Sequence, residues 1–354
     1  MLGVRKMRKR RKTYFILMIF ALLLVACSQE KAEDNDEKST NLDSKTKPKT
    51  EQEENTYPFT GINTDEAIDQ RPVAVMVNNH PKARPQSGLS QADVVFEILA
   101  EGSITRFLAI YQSEEPEVVG PVRSAREYYS DLANGYDAIY VYHGAANFVE
   151  DMIQERGIEN INGASYDNDG QVFKRESFRK APHNSYLLFD AVNDIAEQKG
   201  YEAKTDVATL PFSENEADDI EGEPGEQVTI AYDSNWQVQY EYDEDDKHYY
   251  RSSDGEPTVE LNTEEQIYAD NVFIVEAQHE VIDDEGRRAI DFESGGNAYL
   301  MQKGKMQEVE WENVDGKMTP VKEGEPIGFV PGKTWVNVVP SSPGLDHSVS
   351  ISSH

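Results

Sequence analysis

The sequence predicts a mixed α/β domain followed by an all-β domain, a sandwich or partly closed barrel. Strand-like and helical runs alternate between residues 71 and 200. From 226 to 340 the pattern turns to the two-residue period of strands, punctuated by Gly, Asp and Asn. An acidic stretch at 213–225, with Gly222, Pro224 and Gly225, separates the two patterns. The expected divisions are a signal peptide (1–26), a lipidated cysteine with a disordered tether (27–59), the α/β domain (60–212), a linker (213–225), the β domain (226–340) and a disordered tail (341–354).

The first segment is an address. Seven basic residues (Arg5, Lys6, Arg8, Lys9, Arg10, Arg11 and Lys12) precede an apolar run over 14–26, with no acid among them. A helix needs about 20 apolar residues to span a bilayer, so this shorter run reads as the core of a signal peptide. Leu24-Val25-Ala26-Cys27 has the form of a lipobox, with small Ala26 before the chain's only cysteine. Cys27 is therefore expected to be diacylated, with palmitate-like chains, and to become the first residue after cleavage. Two acyl chains hold a protein stably, at about 0.8 kcal/mol per buried methylene. The expected location is the cell membrane, lipid-anchored and facing the extracytoplasmic side. Residues 28–56 hold no aromatic residue and one large aliphatic one, Leu42. Such a composition buries too little to offset ordering entropy. As a coil it would hold the body roughly 30 Å from the lipid.

In the first domain Val73-Ala74-Val75-Met76-Val77 is a short continuous apolar run, as in a buried strand. Residues 93–100 and 105–112 flank Glu101-Gly102-Ser103, a hairpin-like turn. Residues 124–134 and 145–156 read as helices stopped by Gly135 and Gly157, with a strand over 138–142 between them. A third helix is expected over 185–199, stopped by Gly200. In the second domain Trp236-Gln237-Val238-Gln239-Tyr240-Glu241-Tyr242 alternates apolar and polar cleanly. Further strands are expected at 249–250, 272–275, 298–301, 309–311 and 335–339.

The whole chain carries 34 basic and 66 acidic residues, a net of −32. Loss of the seven basic residues of the signal segment leaves −39. Such a charge argues against nucleic acid and against a polybasic grip on anionic lipid. The acids are unevenly placed: 12 basic and 19 acidic residues over 71–200, against 10 and 34 over 201–340. An anion-facing site is therefore expected in the first domain. With a single, acylated cysteine there are no disulfides, and the fold must rely on its core.

Arg123 and Arg126 are spaced three apart where a helix is expected to begin, which would put both guanidiniums on one face. Their fork geometry suits phosphate or carboxylate. Arg84 and Arg106 could join them from a loop and a strand. The alternative is internal pairing with Glu97, Glu101 or Asp131. Asn78-Asn79-His80-Pro81 follows the first strand, at the edge where α/β folds often place ligand groups; the alternative is a loop of Asx turns closed by Pro81. His143 also follows a strand, and His183-Asn184 precedes the third expected helix. Each histidine has a structural alternative. The three lack the spacing of a metal motif such as HExxH, so no metal and no cofactor are expected. Ser124 with His143 or His183 is the serine to nominate for a hydrolase, but no Gly-x-Ser-x-Gly surrounds it. Asp167-Asn168-Asp169-Gly170 imitates the start of a calcium loop without its distal Glu.

Several phrases in one order are distinctive. They are Arg71-Pro72-Val73-Ala74-Val75-Met76-Val77-Asn78-Asn79-His80-Pro81, then Ala92-Asp93-Val94-Val95, and Gly120-Pro121-Val122-Arg123-Ser124-Ala125-Arg126. Ala181-Pro182-His183-Asn184 and Pro331-Gly332-Lys333-Thr334-Trp335-Val336 follow. Over roughly 60–340 the chain resembles the YerB-like family of Gram-positive lipoproteins, a two-domain family of unknown function. The resemblance implies a cell-surface lipoprotein and transfers no catalytic residues. The reading that follows is a lipid-anchored binding or regulatory protein of the cell envelope. It would recognise a cell-wall polymer or a membrane-bound wall-synthesis protein through Asn78, Asn79, His80, Arg84, Arg106, Arg123, Arg126, His143 and His183. The alternative is a hydrolase or other envelope enzyme using the same site.

If Cys27 is the anchor, Cys27→Ser leaves the precursor uncut and unlabelled by radioactive palmitate. Normally processed, lipid-labelled protein from that variant would refute the assignment.

Overall fold

An apolar run with no polar alternation must be covered on both faces, and the first three long strands are used in that way. β1 (Val73–Asn78), β2 (Val94–Leu99) and β3 (Thr105–Tyr111) are buried along their whole length. The computed structural model describes residues 55–213 and 220–353. The signal segment, Cys27, nearly all of the tether and part of 213–225 lie outside the described residues. After β3 come α1 (Glu127–Gly135), β4 (Ile139–Tyr142), α2 (Asn147–Glu155), β5 (Asn160–Asn162), β6 (Phe173–Arg175), β7 (Ser185–Leu188) and α3 (Ala191–Lys199). The second half supplies β8 (Gln227–Asp233), β9 (Trp236–Asp243), β10 (His248–Ser253), β11 (Asn271–Ala277), β12 (Gly296–Gln302), β13 (Lys305–Val314), β14 (Lys317–Lys322) and β15 (Thr334–Pro340). The chain closes with α4 (Leu345–Ser348) and β16 (Val349–Ser352).

One large sheet runs β14-β13-β12-β11-β15-β2-β3-β1-β4-β5, with short strands added at its side. β15 lies parallel to β11 on one side and to β2 on the other. Strands of both halves thus share one sheet. The period of two sends alternate residues to opposite cores. Met76, Phe96, Ile98, Leu108 and Val338 face a core completed by Tyr129 and Leu132 of α1 and Val149 and Ile153 of α2. Val75, Val77, Val95, Phe107 and Trp335 face a second core, completed by Ile230, Val238, Tyr240 and Tyr249 of a sheet built on β8, β9 and β10. Three layers result. The second half is predominantly β, as expected, with its strands divided between two sheets. Among the described residues no helix is long and apolar enough to cross a membrane.

A charge pair is enclosed between the two sheets. Glu97 of β2 is fully buried, and its Oε2 accepts from Arg251 Nη2 of β10 at 2.6 Å. The Arg251 guanidinium stands over the rings of Trp335, at 4.8 Å, and Phe107, at 5.2 Å. Asn79 Nδ2 and Thr105 Oγ1 donate to Glu97 Oε1 at 3.0 and 2.8 Å. Burial by itself would lower the Arg251 pKa, but Glu97 beside it raises it. Arg251 keeps its charge in the interior because Glu97 lies beside it.

Four expectations are corrected. Arg123 and Arg126 do not share a helix face, because α1 begins at Glu127 and Arg126 is its extended N-cap residue. The backbone before it is committed to strand ends: Asn78 N donates to Pro121 O, Arg123 N to Met76 O and His143 N to Arg123 O. The helix expected over 185–199 starts only at Ala191; residues 185–187 pair with β6 instead. The tail expected at 341–354 is structured over its described residues, since β16 pairs with β8 and Leu345 is buried. Its alternating Val349 and Ile351 are too few to register in a composition window, yet enough to pack on an existing edge. Order also begins before 60, with Asn55–Thr56 paired to Asn63–Thr64 and Phe59 fully buried.

Arg251→Met would strand the Glu97 carboxylate and is expected to destabilise by about 3–5 kcal/mol. Chemical denaturation checks this, and Glu97→Gln in the same chain should restore part of the loss.

Candidate functional site

β1, β4 and β5 are parallel neighbours, so their C-terminal ends open on one edge. The segment 121–125 threads into that edge. Val122 bridges Val77, Arg123 is bonded to Met76 and His143, and Ala125 N donates to Gly144 O. From the other direction β7 arrives, with Ser185 O accepting from Val122 N at 2.6 Å. The loop 176–184 before β7 is closed at its base by Glu176 N donating to Asn184 O at 2.9 Å. The backbone thus brings four distant pieces together: 78–80, 121–125, 143–144 and 183–185.

Their side chains converge in part. Asn78 Nδ2 lies 2.9 Å from His183 Nδ1, and the rings of His80 and His183 sit 4.6 Å apart. His80 Nδ1 accepts from Lys82 N at 3.1 Å, which leaves the proton of the neutral ring on Nε2. His143 Nδ1 lies 2.7 Å from Ser185 Oγ, and its Nε2 is 3.8 Å from Asp167 Oδ1. Asp167 itself is gripped by Arg175. All three histidines have pKa values below the usual one, with burial the largest cause and Arg123 acting on each.

The four arginines have different fates. Arg106 donates to Glu101 Oε2 at 2.7 Å and to Ser124 O at 2.7 Å. Arg126 pairs with the other oxygen of Glu101. Arg84 pairs with Asp254 at 3.0 Å, donates to Asn79 Oδ1 and stands over Trp236. These three are internal ties, Arg106 and Arg126 to Glu101, which the internal-pairing alternative named, and Arg84 to Asp254, which it did not. Arg123 differs. Among the described residues its guanidinium makes no ion pair and no hydrogen bond. None of its nitrogens is among the fully buried unpartnered atoms, so the group reaches solvent. Burial and Arg106 lower its pKa to about 10, which leaves it charged at neutral pH. Asn79, fully buried, turns to Glu97 and lies off the site.

Sequence reasoning missed Ser185, which carries the hydroxyl held by His143, and the cations Arg175 of β6 and Arg179 of the loop. The run Lys174-Arg175-Glu176-Ser177-Phe178-Arg179-Lys180, basic in an acidic chain, was the available signal. Asp169 in the calcium-like loop accepts from the backbone N–H groups of 171, 172 and 173, as a turn does. Among the described residues no group of three or more potential ligands gathers as a metal site would require.

Residues 59–202 match the N-terminal domain, and 228–336 the C-terminal domain, of a family described as protein of unknown function DUF3048. The chain belongs to the DUF3048 family. One member, named "Putative lipoprotein YerB", comes from Bacillus subtilis (strain 168). It is 44% identical over 339 residues, 94% of this chain and 96% of that one. A crystal structure of the YerB protein from Bacillus subtilis superposes with a TM-score of 0.78 at 47% identity, covering 84% of this chain and 99% of that one. The resemblance read from the motifs is therefore right, and with it the two-domain organisation of the DUF3048 family. The site residues all fall in the DUF3048 N-terminal region.

A site of neutral histidines around a fixed cation should respond to pH in two opposite ways. The depressed values favour the neutral rings in the folded state. Their contribution to stability is full above about 6.5, the ordinary histidine value, and is lost as pH falls through the folded values. Protonation also adds positive charge beside Arg123, so anions should bind more tightly in acid. Sulfate, whose charge is constant in this range, is expected to raise the melting temperature more at about pH 5.5 than at about pH 7.5.

Proposed function

We propose that this chain is a lipid-anchored extracytoplasmic protein that binds an anionic ligand of the cell envelope at Arg123. His80, His143 and His183 flank the bound group. The observation that carries the reading is the unpaired state of Arg123 in a chain with 66 acidic residues. An uncompensated, partly buried guanidinium costs desolvation free energy that a ligand phosphate or carboxylate would return. The address read at Cys27 and the name of the Bacillus subtilis relative support the location. A cell-wall polymer or a membrane-bound wall-synthesis protein fits as the ligand's source.

A second reading rests on one specific observation. Ser185 Oγ is held by His143 Nδ1, and Asp167 lies near the far side of that ring, at 3.8 Å and so short of the hydrogen bond that a hydrolase triad uses. Ser185 is only 2% exposed, however, so its hydroxyl would have to be uncovered before it could attack a substrate. Binding without turnover is the better reading. Ser185→Ala tests it, for loss of turnover of an envelope substrate by a folded variant would establish the enzyme.

Arg123→Gln should lower affinity for inorganic pyrophosphate by about tenfold or more, with little change in melting temperature. Arg126→Gln is the contrast, since it breaks an internal pair and should cost about 1–3 kcal/mol of stability. Isothermal titration and denaturation of both variants separate ligand binding from architecture. Unchanged pyrophosphate affinity in Arg123→Gln would sink the proposal.

A further inference from the structure

The loop 176–184 does more than deliver His183 to the site. It also carries Phe178, which at 58% exposure is the most exposed large hydrophobic side chain among the described residues. It is held in place all the same. The Arg179 guanidinium lies over the ring at 5.2 Å, and the Tyr186 ring is 6.1 Å away. Arg179 is itself fixed by Tyr186 Oη and by Pro85 O. An aromatic ring braced in one orientation and left open to water has paid its side-chain entropy before any ligand arrives.

The charges along the same edge extend the pattern. Lys82, Arg123, Arg179 and Lys180 have no carboxylate within ion-pair distance among the described residues, whereas Lys174 and Arg175 are held by Glu176 and Asp167. Four cations without a carboxylate partner, of which Arg179 is held by neutral oxygens, and one braced aromatic ring therefore lie on the loop 176–184 and the segments it packs against. A single small anion would use only one of them. A chain of alternating sugars and phosphates would use the series, with the C–H face of a sugar on Phe178 and phosphates at the cations. Its one charge per repeat also suits an island in an acidic protein, because the surrounding field is screened beyond about 8 Å at physiological salt.

We propose that the ligand class is a phosphodiester-linked glycopolymer, with Phe178 as its sugar-stacking residue. This rests on the reading of Arg123 as the anion-binding group. The test uses the full chain with three probes: a glycosylated poly(glycerol phosphate), inorganic polyphosphate and neutral dextran. Phe178→Ala, a surface change, should weaken the glycosylated polymer by about tenfold and leave polyphosphate unchanged. Arg123→Gln should weaken both phosphate-bearing probes. If Phe178→Ala binds the glycosylated polymer as the unaltered chain does, or if dextran binds equally well, the glycopolymer inference falls and the anion site stands. If Arg123→Gln leaves polyphosphate binding intact, the anion site itself falls.

Discussion

The rest of the structure depends on the Glu97–Arg251 pair enclosed between the two sheets. An acid and a base paired at essentially zero exposure are tolerable only if every lone pair and nearly every N–H finds a partner. That demand recruits Asn79, Thr105, Ser253 and Thr258 as hydrogen-bonding neighbours. The amide oxygen of Asn79 in turn accepts from Arg84 and Gln86. The pair therefore does more than join layers. By fixing Asn79 toward the interior it sets the backbone at the end of β1, and the next side chain back, Asn78, is directed to His183.

A second constraint works on the backbone. The segment 121–125 gives its N–H and C=O groups to the ends of β1 and β4 and to Ser185, not to a helical turn. Arg123 thereby lies in extended chain between strand ends. Glu101, already shared by Arg106 and Arg126, is not its partner. One acid saturated by two arginines leaves the third cation free. The separation of structural from available charge in this edge comes from that stoichiometry.

The individual elements were legible in the sequence where a pattern is local. The run 73–77, the hairpin at Gly102 and the alternation of 236–242 all appear as strands of the expected kind. Pairing partners were not legible, because β15 lies far along the chain from β2 and no local signal names its neighbours. The helix expected at 185 failed because Ser185, Tyr186 and Leu187 had an edge to join. The arginines illustrate the limit at the site. Arg84, Arg106, Arg123 and Arg126 look alike in a sequence, and which one lacks an acid depends on where Glu101 and Asp254 come to lie. Asn78, His80 and His183 do come together, although the sequence reading sets His183 before a helix and it in fact precedes the strand β7. Ser185 was missed because it was assigned to a helix.

The place of β15 also imposes an order of assembly. Chains emerge and cross membranes from one end, so β2 must wait with an open edge until residues 334–340 become available to cover it. During that interval the first half offers unpaired N–H and C=O groups beside an apolar face, the arrangement most prone to wrong partners. The covering strand is parallel and distant in sequence, the slowest kind of pairing to close. The acidity of the later half then acquires a kinetic meaning: like charge on neighbouring copies keeps unfinished chains apart while the last long strand finds its slot.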